Sequence, residues 1–201
     1  MLRYIIKDPK VENTSRIKAF QEKNNFSTEN SLILKADTSN AVERLLFGMS
    51  TGYYIFDKDG NQVCYNGAAT CQGIQFRQLL NNEIDSFQTC KNDSISLDKI
   101  LDQSYDLNEN SVIKNQLPIS DYYVVSFWQK FMGGKNGYKE TVTWMEDEIG
   151  KNKSLLKFTF IKINSDMQEN WGMAAGKKMK VKIKKNGSSM NLSFSGLPLK
   201  K

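Results

Sequence analysis

Three cysteines and a complete lack of histidine set the chemical limits of this chain. Without histidine the usual general base, the neutral-pH switch and the commonest metal ligand are all missing. Acid–base work would fall to Asp, Glu or Lys, and a hydrolase-type triad is disfavoured. Cys64, Cys71 and Cys90 are irregularly spaced and form no C-x-x-C pair, so they signal neither a zinc ribbon nor a dithiol redox site. They read first as small hydrophobes in a reducing compartment. In an exported protein one disulfide would form instead, Cys71–Cys90 or Cys64–Cys71, and spacing does not choose between them. No cofactor and no metal is expected.

Three further stretches invite a chemical reading. Met132-Gly133-Gly134-Lys135-Asn136-Gly137 has the glycines and the lysine of a phosphate cradle, but G-x-x-x-x-G-K-[ST] is absent. It reads as a tight strand-to-helix turn that needs permissive glycines. Asp57-Lys58-Asp59-Gly60-Asn61 resembles a calcium loop, yet its glycine comes two positions early and no glutamate closes it; a hairpin turn is expected. Residues 177–185 concentrate lysine in a chain of net charge +6, which raises nucleic acid or an anionic membrane as a partner. Lysine alternates there with Met179, Val181 and Ile183, the pattern of a half-buried strand with a solvated edge. The run holds no arginine and no stacking aromatic, so a nucleic-acid binder is the alternative reading, not the leading one.

The elements that must position these residues follow from periodicity. Residues 3–6 and 32–34 read as strands and 14–24 as a helix with Ile17 and Phe20 inward. Asn40 and Glu43 have capping-box spacing before a helix that would bury Val42, Leu45 and Leu46. Residues 53–56 and 62–65 flank the hairpin turn, and Phe76, Leu79, Leu80, Ile84 and Phe87 recur at helical spacing. Residues 85–116 are polar and predict a connector with one short helix at Leu97, Ile100 and Leu101. A buried strand at 122–125 and a helix over 137–149 follow, the helix with Tyr138, Val142, Met145 and Ile149 on one face. A strand at 155–163, a helical turn at 167–171 and a hairpin of strands at 179–183 and 190–194 complete the chain. Trp128, Phe131, Trp144 and Trp171 read mainly as core, but Phe131 and Met132 fall at a loop tip, where an exposed pair would suit a partner.

Residues 126–137 read Ser-Phe-Trp-Gln-Lys-Phe-Met-Gly-Gly-Lys-Asn-Gly after the apolar Tyr122-Tyr123-Val124-Val125. This resembles the active-site segment of the thioredoxin family, a strand ending in Phe-Trp followed by Trp-Cys-Gly-Pro-Cys-Lys. It is also similar to thioredoxin-like proteins of the Bacteroidetes type, in which a Phe-Trp strand meets a cysteine-free glycine loop. Met132 and Lys135 stand where the two cysteines would be, and Gly134 where the proline would be. The resemblance implies an α/β fold of thioredoxin-like βαβ-αββ(α) architecture and, in the same residues, argues against dithiol–disulfide exchange. The family's cis-proline slot falls near Gly52 and Met179, and its last helix is missing after the final hairpin.

Length allows one ordinary domain or two small ones. Phe47-Gly48-Met49 and Trp171-Gly172-Met173 each precede a strand and a hairpin turn, which predicts two related units in tandem. The expected division is a unit at 1–90, a linker at 91–116 and a second unit at 117–201. The expected function is a redox-inactive binding or scaffold protein for a peptide or protein partner, using Trp128, Phe131, Met132, Gly133, Gly134 and Lys135. The alternative from another class is a thiol-dependent redoxin using Cys64 or Cys71. No run reaches the roughly 20 apolar residues of a membrane span, and the first residues lack signal-peptide features. A cytoplasmic protein is expected, or one of the cell envelope or periplasm if an export segment has been removed.

Overall fold

The structure, a computed structural model, describes residues 7–48, 52–91, 95–132, 139–186 and 189–200. In chain order its elements begin α1 (Thr14–Lys23), β1 (Ser31–Leu34), α2 (Ala41–Phe47), β2 (Tyr53–Asp57) and β3 (Gln62–Tyr65). Then come α3 (Gln72–Leu80), β4 (Phe87–Thr89), α4 (Leu97–Asp102), β5 (Ser104–Asp106) and β6 (Tyr122–Trp128). A π-helical turn at Lys139–Thr143 leads into α5 (Trp144–Gly150), followed by β7 (Phe158–Asn164), β8 (Val181–Asn186) and β9 (Ser189–Phe194). Seven strands form one mixed sheet in the order β4-β3-β2-β6-β7-β1-β5, and β8 with β9 makes a separate two-stranded sheet. Among the described residues no helix is long and apolar enough to cross a membrane.

The centre of the sheet is apolar because it is covered on both sides. β6 and β7 run parallel from Tyr122↔Phe158 to Trp128↔Asn164, and β7 is parallel to β1. Along β6, Tyr123, Val125 and Phe127 face one core cluster, while Val124 and Trp128 face the other. The first cluster holds Leu45 of α2, Leu97 and Ile100 of α4, and Met167, Trp171, Met173 and Met179 from the chain after β7. The second holds Ile17 of α1, Phe76 and Leu80 of α3, and Met145 of α5. The result is a three-layer α/β/α arrangement.

Several expectations change. The strands of both halves join one sheet, with β2 antiparallel to β6 from Tyr53↔Ser126 to Asp57↔Tyr122. Units at 1–90 and 117–201 with sheets of their own are therefore not what forms. The linker expected at 91–116 is structural: Leu97, Ile100 and Leu101 are buried, and β5 closes one edge by pairing with β1. Gly48 and Gly172 do not match either. Gly172 is left-handed at φ 80°, whereas Gly48 is right-handed at φ −71°. Gly48 is required by close approach instead, since a Cβ there would lie 1.8 Å from Ser165 Oγ.

Local signals fail where a turn intervenes. The helix expected through Phe87 stops at Leu80, because Asn82 is left-handed at φ 64°. Ile84 then falls in a 3-10 turn and Phe87 opens β4. α2 buries Ala41 and Leu45 but leaves Val42 and Leu46 exposed. Asn40 makes no side-chain cap on α2; its Oδ1 accepts from Asp37 N–H. Leu155 is fully exposed before β7, and Met179 is buried ahead of β8. Residues 3–6, Met49, Gly137 and Tyr138 lie outside the described residues.

Candidate functional site

The loop that leaves β6 is fixed side chain by side chain. Trp128 packs between the Phe20 ring, stacked at 5.9 Å, and the edge-on Phe26 ring at 5.0 Å. Gln129 turns inward and its Nε2 donates to Leu45 O at 3.0 Å and to Ser165 Oγ at 2.8 Å. This ties the loop to α2 and to the end of β7, where Ser165 leaves no room for a side chain at Gly48. Lys130 N–H donates to both oxygens of Asp166, at 3.2 and 3.0 Å. Its Nζ lies 2.8 Å from Glu12 Oε1 and 5.0 Å above the Phe20 ring.

Asp166 anchors this arrangement from inside. It is fully buried, and Asn164 Nδ2 donates to its Oδ2 at 2.8 Å. Gln168 Nε2 donates to Asn164 Oδ1 and to Asp166 O. Burial pushes the Asp166 carboxyl up to about 6. The Asn164 and Lys130 N–H bonds and the lysine charge oppose that rise, and the Glu12 charge adds to it.

Of the expected binding residues, Trp128 and Phe131 are core. They are 4% and 3% exposed, and Phe131 packs in the cluster that holds Val11, Met173 and Met179. The exposed Phe131–Met132 pair is corrected on that point. The segment at 7–12 runs over the loop, with Lys7 N–H donating to Phe131 O at 3.0 Å. Met132 is half-buried against the same cluster. Gly133, Gly134 and Lys135 lie outside the described residues.

The cysteines pair in neither expected way, since Cys64 is bonded to Cys90 and Cys71 is a free, exposed thiol. The ladder decides this. Cys64 lies opposite Gln88, so Cys90 is its diagonal neighbour on the same face, with the Cα atoms 5.0 Å apart. Tyr65 faces the other way and its hydroxyl donates to Gln78 of α3. Cys71, at the start of α3, therefore lies on the side of the sheet away from Cys64.

The Asp57–Asn61 motif is structural. Asp57 Oδ1 accepts from Asp59 N–H and Asn61 N–H, each at 2.9 Å, which closes the β2–β3 hairpin as expected. Lys178, Lys180 and Lys182 are exposed around buried Met179. Among the described residues no group of three His, Cys, Asp or Glu side chains gathers to hold a metal. Two surface grooves of about 430 and 570 Å³ lie away from the loop, one over Phe158 and Phe160, the other beside Asp106 and Asn110. Sequence reasoning missed Asp166, Gln129 and Glu12. For Asp166 the signal was the polar Asn164-Ser165-Asp166 run that closes an apolar strand. Comparison with protein-family models, with curated proteins and with solved structures found no match.

Proposed function

We propose that this chain is a redox-inactive, thioredoxin-like binding module that recognises a peptide or protein partner at the loop following β6. One observation carries the reading: β6 lies between parallel β7 and antiparallel β2. The strand–helix–strand piece β6-α5-β7 comes from the second half, and the hairpin β2–β3 with the helix α3 after it comes from the first. On this reading the two pieces together make up one thioredoxin-like arrangement, with α3 as its closing helix. Gly52, at the family's cis-proline slot, precedes the β2 residue that pairs with Ser126. At the loop, Met132 cannot ionise and Lys135 is a cation, so neither replaces a thiol pair. The Cys64–Cys90 bridge supports an oxidising compartment for the protein.

The test has two arms. In an insulin-type disulfide reduction assay the protein should turn over no faster than its cysteine-free variant. Turnover above that control would make Cys71 the nucleophile of a redoxin. Peptides selected on the wild-type protein should bind the Met132→Ser/Lys135→Glu variant about tenfold more weakly, a loss of about 1.4 kcal/mol, at an unchanged melting temperature. Equal affinity would move the binding surface off this loop.

A further inference from the structure

Phe158, Phe160 and Lys162 alternate along β7 and so project from one face of the sheet. That face is covered by α1 and α5, whose Ile17 and Met145 pack in the same cluster as Phe160. The cover is incomplete. α5 ends at Gly150, and a Cβ there would meet nothing within 4 Å. The groove of about 430 Å³ over Phe158 and Phe160 lies between the turn after α1 and the end of α5, with Asn30 on one wall and Glu146 and Ile149 on the other. Its size falls within the roughly 300–1,000 Å³ of ligand sites.

Charge and hydrogen bonding define what fits there. The charged residues lining the groove are Glu29, Glu146, Lys157 and Lys162, two of each sign. Lys162 has its side chain 3% exposed, and its Nζ donates to Glu146 Oε1. An ammonium has three donors and a carboxylate two acceptor oxygens. Among the described residues Nζ has no second hydrogen-bond partner and Glu146 Oε2 has none. The pair thus presents a donor beside an acceptor with no net charge, which a neutral amide completes and a free ion does not. Apolar surface also continues past the floor of the groove. Ile119, which lines it, is 92% exposed, and Leu155 is 99% exposed. The segments carrying them run side by side, since Asp121 N–H donates to Lys157 O and Lys157 N–H donates to Asp121 Oδ2. Exposed aliphatic groups on adjoining segments suit an extended ligand better than a compact one.

We propose that this groove binds an aromatic residue within an uncharged stretch of peptide: the side chain lies on Phe158 and Phe160, and the backbone amide completes the Lys162–Glu146 pair. Ring-on-ring contact favours an aromatic side chain on that floor. The amide carbonyl accepts from Lys162 Nζ and the amide N–H donates to Glu146 Oε2. The site is separate from the loop after β6, so either can fail without the other.

A proton–nitrogen NMR titration with N-acetyl-phenylalanine methylamide tests it. The amides of Ile149, Phe158 and Phe160 should shift and saturate with a dissociation constant of about 1 mM. N-acetyl-phenylalanine, which ends in a carboxylate, and phenylalanine methylamide, which carries an ammonium, should bind about tenfold more weakly. Lys162→Met should lose about tenfold in affinity for the neutral probe, and Met132→Ser/Lys135→Glu should lose nothing. If Lys162→Met does not fold, Ile119→Ser decides: so exposed a side chain is not needed for folding, and its removal should weaken binding about threefold. No saturation at these amides, equal binding of either charged probe, or an unchanged affinity in Lys162→Met or Ile119→Ser would each overturn the site. So would a loss in Met132→Ser/Lys135→Glu, or the same shifts on raising the protein concentration alone, which would seat a second copy of the chain in the groove.

Discussion

Lys162 sits inside the apolar strand β7 with its side chain 3% exposed, a position where an ammonium group is costly without partners. Glu146 of α5 accepts from its Nζ, and the rings of Phe26 and Phe160 lie 5.7 and 5.8 Å away. Glu146 keeps 22% exposure, so the charge is neutralised from the solvent side. The asymmetry gives a prediction. Glu146→Ala leaves the buried ammonium unpaired and should cost about 3 kcal/mol in urea unfolding, whereas Lys162→Met, which removes the charge itself, should stay within about 1 kcal/mol of wild type. Equal losses in the two variants would mean that packing, not charge, holds this position.

At the scale of elements, β4 is a three-residue edge strand with little buried surface. It is held by the β3 ladder, by Cys90 N–H donating to Gln62 O and by the Cys64–Cys90 bridge. The bridge spans a sequence separation of 26. Closing a loop of that size restricts the unfolded chain, so Cys64→Ser should lower stability by about 3 kcal/mol in denaturant titration. Protease cleavage in the segment between β4 and α4 should then become faster, since the edge loses its covalent tie. Cys71→Ser should leave both measurements unchanged, because its thiol is exposed and outside the bridge. A Cys71→Ser loss as large as that of Cys64→Ser would reassign the bridge.

For the whole molecule, the sheet order makes the halves interdependent. β6 needs β2 on one side, and β7 needs β1 on the other. Calorimetry of the full chain should therefore give one cooperative transition, with calorimetric and van't Hoff enthalpies equal. Residues 117–201 produced alone should show no cooperative unfolding, since β6 and β7 would each expose an edge that the first half covers. A fragment that unfolds cooperatively by itself would restore the division into separate units.

Sequence alone determined the elements whose signals are local. The apolar run of β6 and the Asp57–Gly60 turn are each fixed by a few neighbouring residues, and each formed as expected. The α/β class followed from them. Which strand lies beside which was decided only in three dimensions, because the antiparallel neighbour of β6 lies some seventy residues away in sequence and periodicity carries no address. The same holds for the disulfide, set by the β3–β4 register, and for Phe131, whose burial depends on a strap that arrives from the start of the chain. The burial of Asp166, Glu12 and Gln129 was illegible for the same reason. A buried polar residue and a solvated one look alike in sequence until tertiary packing removes the water.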